Sequence, residues 1–366
     1  MFMSKVRRIG IMTGGGDCPG LNAVIRAVAK GAFFEHHWEV YGIEDGYEGL
    51  IQNRFRKLEP SDVSGILTIG GTILGTSNTA NPYGYIVRSG GGTVCRDVSR
   101  RVLRHARAMN LDALVLIGGD GTLASADRLF KSGLPIIGVP KTIDNDLGGT
   151  DVSFGFDTAV MVATEAIDRL HSTAQSHHRI MIVEVMGRRA GWIALYAGVA
   201  GGGDIILIPE IPYTAAAVAA KVIARRKLGK KFSIVVIAEG AKPKGGEVVV
   251  RKLVAASADP VRLGGVGFVL GDEVERLTGM EARCVVLGHL QRGGSPTAGD
   301  RVLATQLGAE AIKMIARGEF GRMVAVQGGR IVSIPLDIPA RGPRLVPPDH
   351  PIIAAARSVG TSFGDE

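Results

Sequence analysis

Cysteine is scarce. Cys18, Cys95 and Cys284 are the three in 366 residues, widely spaced and without a CxxC pair. That excludes a full disulfide framework and offers no zinc spacing. Aromatic residues make up 5% of the chain, and no basic run is interleaved with them. The net charge of +8 therefore fits a basic enzyme with anionic substrates better than a nucleic-acid surface. No uninterrupted apolar run reaches membrane length, and the opening MFMSKVRRIGIMTGG carries no signal-peptide apolar core. The cytoplasm is the expected compartment. The glycine-rich turns lack the Lys-Ser/Thr pair of a P-loop and the spacing of a dinucleotide fingerprint.

Glycine and aliphatic residues are what the chain has in quantity. With 46% hydrophobic residues it can bury one large or two medium cores. Its 52 glycines fall mostly at the ends of apolar runs, as tight βα turns require. The stretch from Leu114 to Asp146 organises the rest. Leu114 to Ile117 reads as a buried strand, followed by a Gly-rich turn, a helix, and a second buried strand from Pro135 to Val139. In such a βαβ unit both strand ends lie on one edge of a parallel sheet. Gly118, Gly119 and Gly121 allow close backbone approach, and their N–H groups at a helix start suit phosphate. Asp120 among them requires a metal between it and the phosphate. Lys141, Thr142, Asp144, Asn145 and Asp146 crowd the next strand end. Glycines facing two carboxylates and a lysine point to metal-assisted phosphoryl transfer.

Further βα units flank this one. Arg8 to Thr13 is a strand running into Gly14, Gly15, Gly16 and Asp17 before a helix from Asn22. Gly70 to Tyr85 is turn-rich and reads either as a functional loop over the sheet edge or as a solvated connector. The helix from Asp97 to Met109 carries Arg100, Arg101, Arg104 and Arg107, a set that fits a solvated face. Strands ending at Val185, Ile208, Ala238 and Leu287 follow, each with its helix. The tail from Arg341, with four prolines, is expected to run partly extended over the surface. Polar clusters thus close five strands: Gly14–Asp17, Gly118–Thr122, Lys141–Asp146, Met186–Arg189 and His289–Arg292. Strand C-terminal ends are where open α/β sheets bind ligands.

The motifs GGGDCPGLNAVIRA, GGDGT, PKTIDND, SHHRIMIVEVMGR, PEIP and LGHLQRGG, in this order and spacing, resemble the phosphofructokinase family from about Arg8 to Ala340. TIDND with VMGR and GHLQRGG is specific; GGDGT alone is shared with lipid and NAD kinases. The resemblance implies two doubly wound α/β lobes with mostly parallel sheets and the active site in the cleft between them. Residues 1–155 and 291–340 are expected on the donor side, and 156–290 and 341–366 on the sugar-phosphate side.

The same resemblance implies a mechanism. Asp144 is expected to act as base on the 1-hydroxyl of fructose 6-phosphate, with a pKa near its normal value. Asp120 and Asp146 are expected to hold Mg²⁺, although Asp146 can also be read as a turn cap. Thr142 and Arg188 are expected at the transferred phosphoryl group, and Gly16, Gly119, Gly121, Thr122 and Lys141 with Asp120 around the donor. Met186, Gly187, Glu239, Arg179, Arg283, His289 and Arg292 are expected around the sugar phosphate, Arg179 and Arg283 coming from a neighbouring subunit of a dimer or tetramer. His289 taken alone can equally be a core histidine, and Arg189 receives no role.

The sequence also departs from the family. Relatives often carry an arginine where this chain has Asn78 and Thr79. Arg26 and Lys30 match basic effector positions, but His171 replaces a third. For the donor, Gly121 leaves room for a nucleotide α-phosphate, which favours ATP, whereas Lys141 is typical of pyrophosphate users. The combination resembles ATP-dependent members of the family's third group. ATP is the expected donor, pyrophosphate the alternative, and a non-catalytic regulatory subunit a further one.

Overall fold

The computed structural model describes residues 6–89, 92–253 and 261–366. The N-terminal stretch read above begins in residues 1–5, which lie outside the described residues. In chain order come β1 (Arg8–Thr13), α1 (Leu21–Gly31), β2 (Glu39–Ile43), α2 (Tyr47–Gln52), β3 (Phe55–Leu58) and the hairpin β4 (Tyr85–Ser89)/β5 (Gly92–Arg96). Next are α3 (Ser99–Ala108), β6 (Ala113–Gly118), α4 (Asp120–Lys131), β7 (Ile136–Pro140), α5 (Phe156–His177), β8 (Ile180–Val185) and α6 (Trp192–Ala200). Then follow β9 (Ile205–Leu207), α7 (Ala215–Lys227), β10 (Ser233–Ala238), and the hairpin β11 (Val250–Leu253)/β12 (Val261–Leu263). The chain ends with α8 (Val266–Thr278), β13 (Ala282–Val286), α9 (Ala298–Arg317), the hairpin β14 (Arg322–Gln327)/β15 (Arg330–Pro335) and α10 (Pro351–Ser358).

Two sheets carry the molecule. The first has seven strands in the order β15-β14-β7-β6-β1-β2-β3. Its interior pairs are parallel, and both edge strands, β15 and β3, run antiparallel. The second has four parallel strands, β13-β8-β10-β9. The central strands β6, β7, β8 and β10 are buried at every position, so apart from Glu184 in β8 and Ser233 in β10 they read as apolar runs without alternation. One core cluster runs from Ile9 and Val24 through Ile167 to Trp192 and Ile234, so it packs against both sheets. No helix among the described residues is long and apolar enough to cross a membrane.

The tail follows expectation only in its first part. Phe363 is fully buried, and Ser362 bridges to Ile205 beside β9. Leu147 bridges to Pro343. The prolines Pro347, Pro348 and Pro351 mark turns and the first turn of α10, where a missing N–H costs nothing. Residues 342–349 run without helix or strand and are mostly exposed, as expected, and beyond them Ile353, Ala356 and Phe363 pack into the core.

Candidate active site

The first Gly-rich turn and the β6–α4 turn are fitted to each other by one side chain. An ideal Cβ on Gly14 would lie 2.6 Å from Thr122 Cγ2, and one on Gly118 would lie 2.4 Å from it. Thr122 is buried in the space those two glycines leave. Lys141 is also buried and donates from Nζ to the Gly16 carbonyl at 2.5 Å. Burial pushes its pKa down, an effect that neighbouring Cys18 and Asp144 oppose. In this arrangement the ammonium braces the turn that the family resemblance assigns to the donor. Arg292 approaches from the 3₁₀ turn Gly288–Arg292 and donates from Nη1 to Asp17 O at 3.1 Å. It lies so close over Gly16 that a Cβ there would sit 2.8 Å from Nη1.

The loop from Gly70 to Tyr85 closes over this turn. Thr13 Oγ1 donates to Gly75 O at 2.7 Å, Thr76 Oγ1 to Gly15 O at 2.7 Å, and Gly15 N to Ser77 O at 3.1 Å. Gly121, by contrast, faces open space: an added Cβ meets nothing within 4 Å.

Four carboxylates gather where β7 and β10 end opposite β6. Asp144 Oδ1 is sealed from solvent and has no hydrogen-bond partner. Burial raises its pKa; Arg292 and Lys141 oppose the rise, and Glu239 and Asp120 add to it. The expected ordinary value is therefore corrected upward, because the carboxyl is desolvated among like charges. Asp146 is pushed up to about 7, by burial first and then by Asp144 and Asp120. Thr142 Oγ1 donates to Asp146 Oδ1 at 3.4 Å and accepts from Asp144 N at 3.1 Å. Glu239 is raised by burial and by Glu184, with Arg292 and Arg188 pulling it back. The structure thus brings Asp144 near Arg292 and Glu239, Glu239 near Arg188, and Asp146 near both Asp144 and Asp120.

A divalent cation fits this donor set. No group of three or more His, Cys, Asp or Glu is ligand-like among the described residues. Asp120 and Asp146 would supply two hard oxygens, with the other positions left to water and phosphate, as magnesium sites do. The mutual elevation of the carboxyls and the orphaned Asp144 oxygen mark a cluster short of positive charge and of donors.

Some expected residues stand apart. Arg179 precedes β8, and Arg283 is the second residue of β13, both at the opposite strand ends from Met186, Gly187 and Arg188. A six-residue strand spans about 20 Å. Both guanidiniums pair with Glu281 instead. Within one chain they do not reach the cleft. His289 is exposed on its 3₁₀ turn, so the core-histidine alternative fails. His171 is engaged through Nε2 with the Gly201 carbonyl at 2.7 Å.

Two contacts at these turns escaped sequence reasoning. Gln291, fully buried in the LQRGG motif, accepts from Met186 N at 3.4 Å and donates to Gly288 O at 3.1 Å. It ties the turn after β8 to the turn after β13, and a polar residue inside an otherwise glycine-flanked motif is the signal that could have shown it. Arg189 pairs with Asp120, and nothing in the local sequence announces a contact across 69 residues.

This geometry has counterparts in known proteins. The profile described as Phosphofructokinase matches residues 8–315. The ATP-dependent 6-phosphofructokinase 2 of Clostridium perfringens (strain 13 / Type A) is 51% identical over 366 residues, 100% of both chains. The pyrophosphate–fructose 6-phosphate 1-phosphotransferase of Amycolatopsis mediterranei (strain S699) is 52% identical, over 90% of this chain and 93% of its own. Among solved structures, Pichia pastoris phosphofructokinase in the T-state superposes with a TM-score of 0.79 at 30% identity. That alignment covers 98% of this chain and 37% of the Pichia chain, so the present chain spans well under half of the longer protein. With the two sheets, the Gly-rich turns and the carboxylate cluster in place, the match over nearly the whole length has one consequence: the chain belongs to the phosphofructokinase family.

Proposed function

We propose that the chain is an ATP-dependent 6-phosphofructokinase, transferring the γ-phosphoryl group of ATP to the 1-hydroxyl of fructose 6-phosphate. The observation that carries this reading is Asp144 Oδ1, a buried carboxylate oxygen without a partner beside Arg292 and Glu239. An incoming hydroxyl supplies the missing donor. Asp144 then takes the proton as the phosphoryl group moves, and its raised pKa brings its basicity closer to working pH. Transfer of this kind depends on positioning and charge more than on covalent chemistry.

The chain's residues divide that work. Arg188 faces the transferred group and takes up its spreading charge, and Thr142 sets the carboxylate turn beside it. Glu239 accepts from a sugar hydroxyl. Arg292 and His289 hold the 6-phosphate, joined by Arg179 and Arg283 brought by a second copy of the chain, because their own pair of strand ends faces away. The functional unit is therefore at least a dimer. Gly16, Gly119, Gly121 and Lys141 shape the donor side, with Thr122 packed beneath it. Asp120 and Asp146 would hold Mg²⁺, which neutralises charge on the donor phosphates. Residues 1–155 with 291–340 serve as the donor lobe in this reading, and 156–290 with 341–366 as the sugar-phosphate lobe.

Pyrophosphate as donor is the second reading, favoured by Lys141 and by the Amycolatopsis relative's similarity. The open space at Gly121 speaks for ATP, since a nucleotide needs that room. A non-catalytic subunit is disfavoured, because Asp120, Asp144 and Arg188 are all present. The test is a coupled assay with fructose 6-phosphate, Mg²⁺ and either ATP or pyrophosphate in parallel. A higher kcat/KM with ATP is expected; no turnover with either donor would sink the reading.

A further inference from the structure

Asp144 and Asp146 sit in a turn with an awkward backbone. Asn145 between them adopts a left-handed conformation at φ 52°, which Asn tolerates better than most residues. Its side chain accepts from Ser153 N at 3.0 Å, which ties the turn on one side. The carbonyls of Asn145 and Asp146 need donors too, because the chain has left β7 and has no ladder there.

Both donors come from one residue of the C-terminal segment, 199 positions away in sequence. Arg344 N donates to Asp146 O at 2.7 Å. Arg344 Nη2 donates to Asn145 O at 2.7 Å. The guanidinium lies over the Trp192 ring, 4.2 Å from its centroid, and Trp192 Nε1 donates back to Arg344 O at 2.8 Å. Trp192 opens α6, four residues after Arg188. Two residues further on, Val346 N donates to Glu210 Oε1 at 2.8 Å, and both oxygens of Glu210 accept from Gly191 N at 3.1 Å. Leu147 bridges to Pro343 on the other side. Three consecutive segments are thereby laced together: the carboxylate turn, the tail, and the turn that follows Met186–Arg189.

We infer that Arg344 is a positioning residue for phosphoryl transfer, holding the Asp144–Asp146 turn in register with the Arg188 turn through its hydrogen bonds to Asn145 and Asp146 and its stack on Trp192. The inference rests on the proposed kinase reading. Arg344 does not touch substrate; it acts through the peptide planes that aim the two carboxylates. An aspartate turn held only from the Ser153 side has a free carbonyl pair and can rotate. A displacement of about 1 Å at such a site costs on the order of a hundredfold in rate. The guanidinium is suited to this post because it stacks and donates in one plane, which an ammonium does not. Its burial lowers its pKa, and Asp151 and Asp146 nearby help keep it charged.

The test uses the full-length protein with Arg344→Ala, Arg344→Lys and Trp192→Phe. In Arg344→Ala, kcat is expected to fall about 10- to 100-fold, while KM for fructose 6-phosphate, held by Arg292, changes less than about twofold on the same argument. Added guanidinium ion at millimolar levels is expected to restore part of that kcat, and Arg344→Lys to retain more activity than Arg344→Ala. Trp192→Phe, which removes the indole donor and part of the ring surface under the guanidinium, is expected to give a smaller loss of kcat at unchanged KM. A soluble Arg344→Ala protein with wild-type kcat overturns the inference. So does a loss in which KM rises in step with falling kcat and guanidinium restores nothing, since the defect then extends to sugar-phosphate binding and is not confined to the aim of the carboxylates. Should Arg344→Ala not fold, the Lys and Trp192→Phe variants decide on the same kcat-against-KM criterion. Wild-type protein inactive on fructose 6-phosphate fails the kinase reading itself, which the same assay distinguishes from failure of the Arg344 inference.

Discussion

Arg189 Nη1 donates to Asp120 Oδ2 at 3.0 Å, joining the turn after β8 to the turn after β6 across the cleft. The guanidinium also faces Asp146 and helps hold its pKa down. Arg189 therefore provides positive charge to both carboxylates proposed for Mg²⁺. Its exposed setting makes the contact easy to displace, since the two side chains keep 55% and 49% of their accessible surface. Exposed pairs are worth at most about 1 kcal/mol.

Removing that competitor frees Asp120. Arg189→Gln is expected to raise the affinity of the donor-free protein for Mn²⁺, used as a reporter of the Mg²⁺ site, by up to about fivefold. An electron paramagnetic resonance titration of bound against free Mn²⁺ measures it directly. Unchanged affinity would mean that guanidinium and metal occupy different places.

Asp144→Asn keeps the shape of the turn and removes the proton acceptor. Its kcat is expected to drop by about 10²- to 10⁴-fold, with KM for fructose 6-phosphate nearly unchanged. Steady-state kinetics at saturating donor check both numbers. A wild-type kcat would assign the base elsewhere.

Protonation of Asp146 gives a pH dependence whose sign follows from its shift. Its folded pKa of about 7 exceeds the ordinary carboxylate value of about 3.9. Between those values the folded protein holds a proton that the unfolded chain has lost, so this group's contribution to stability is complete below about pH 4 and is lost as pH rises through about 7. A metal needs the ionised form. Stabilisation by a fixed Mg²⁺ concentration is therefore expected to grow from pH 6 to pH 8, and chelation by EDTA to abolish it. Thermal melts at both pH values, with Asp146→Asn as control, measure the effect. A pH-independent Mg²⁺ shift in the wild type would remove Asp146 from the metal site.

The strand ends were legible because parallel interior strands bury both faces. Ala113–Gly118 is apolar throughout and Ile180–Val185 is apolar but for the buried Glu184, so the polar clusters after them are expected at the C-terminal edge. The antiparallel pieces were not legible. β3 carries Arg56 and Lys57 at a sheet edge, and β15 is half-exposed, so neither shows a strong apolar run. The role of the tail was hidden for a different reason. Arg344 acts through two backbone carbonyls and an indole, partners set by tertiary contact over 199 and 152 residues and invisible to local pattern. The same holds for the brace that Lys141 makes, since its Nζ donates to Gly16 O across 125 residues while two of its three N–H groups remain for a ligand.

Arg283 and Arg179 lie at the strand ends remote from Asp144, so in the proposed reading they complete the site of a second copy of the chain. Arg283→Ala and Asp144→Asn are each expected to be nearly inactive as homo-oligomers. Co-expressed together, they are expected to regain activity, because some mixed sites combine an intact base with an intact arginine from the other copy. Activity of the mixed preparation, compared with the separate variants, measures this. No recovery would place both residues in one chain's site or neither.

Gly121 decides what the donor pocket admits. Nothing lies within 4 Å of a Cβ placed there, and Gly121 is not among the left-handed glycines, so the chain itself tolerates a side chain at this position. Any effect of Gly121→Asp on donor use is then an effect on the ligand rather than on folding. A carboxylate at the start of α4, one residue from Asp120, projects into space that a nucleotide α-phosphate is proposed to fill. Like charges pressed together out of water cost several kcal/mol, more than any single lost contact. Pyrophosphate is shorter and ends before that point, and Lys141 is already in place on its side of the turn. Wild type is expected to prefer ATP by kcat/KM, and Gly121→Asp to lose ATP use while keeping its melting temperature and gaining relative activity with pyrophosphate. Both donors are to be measured on both proteins at saturating fructose 6-phosphate and Mg²⁺. A wild type that prefers pyrophosphate would reverse the weight given to Gly121 over Lys141. A variant that still uses ATP well would mean that the nucleotide does not pass over Gly121.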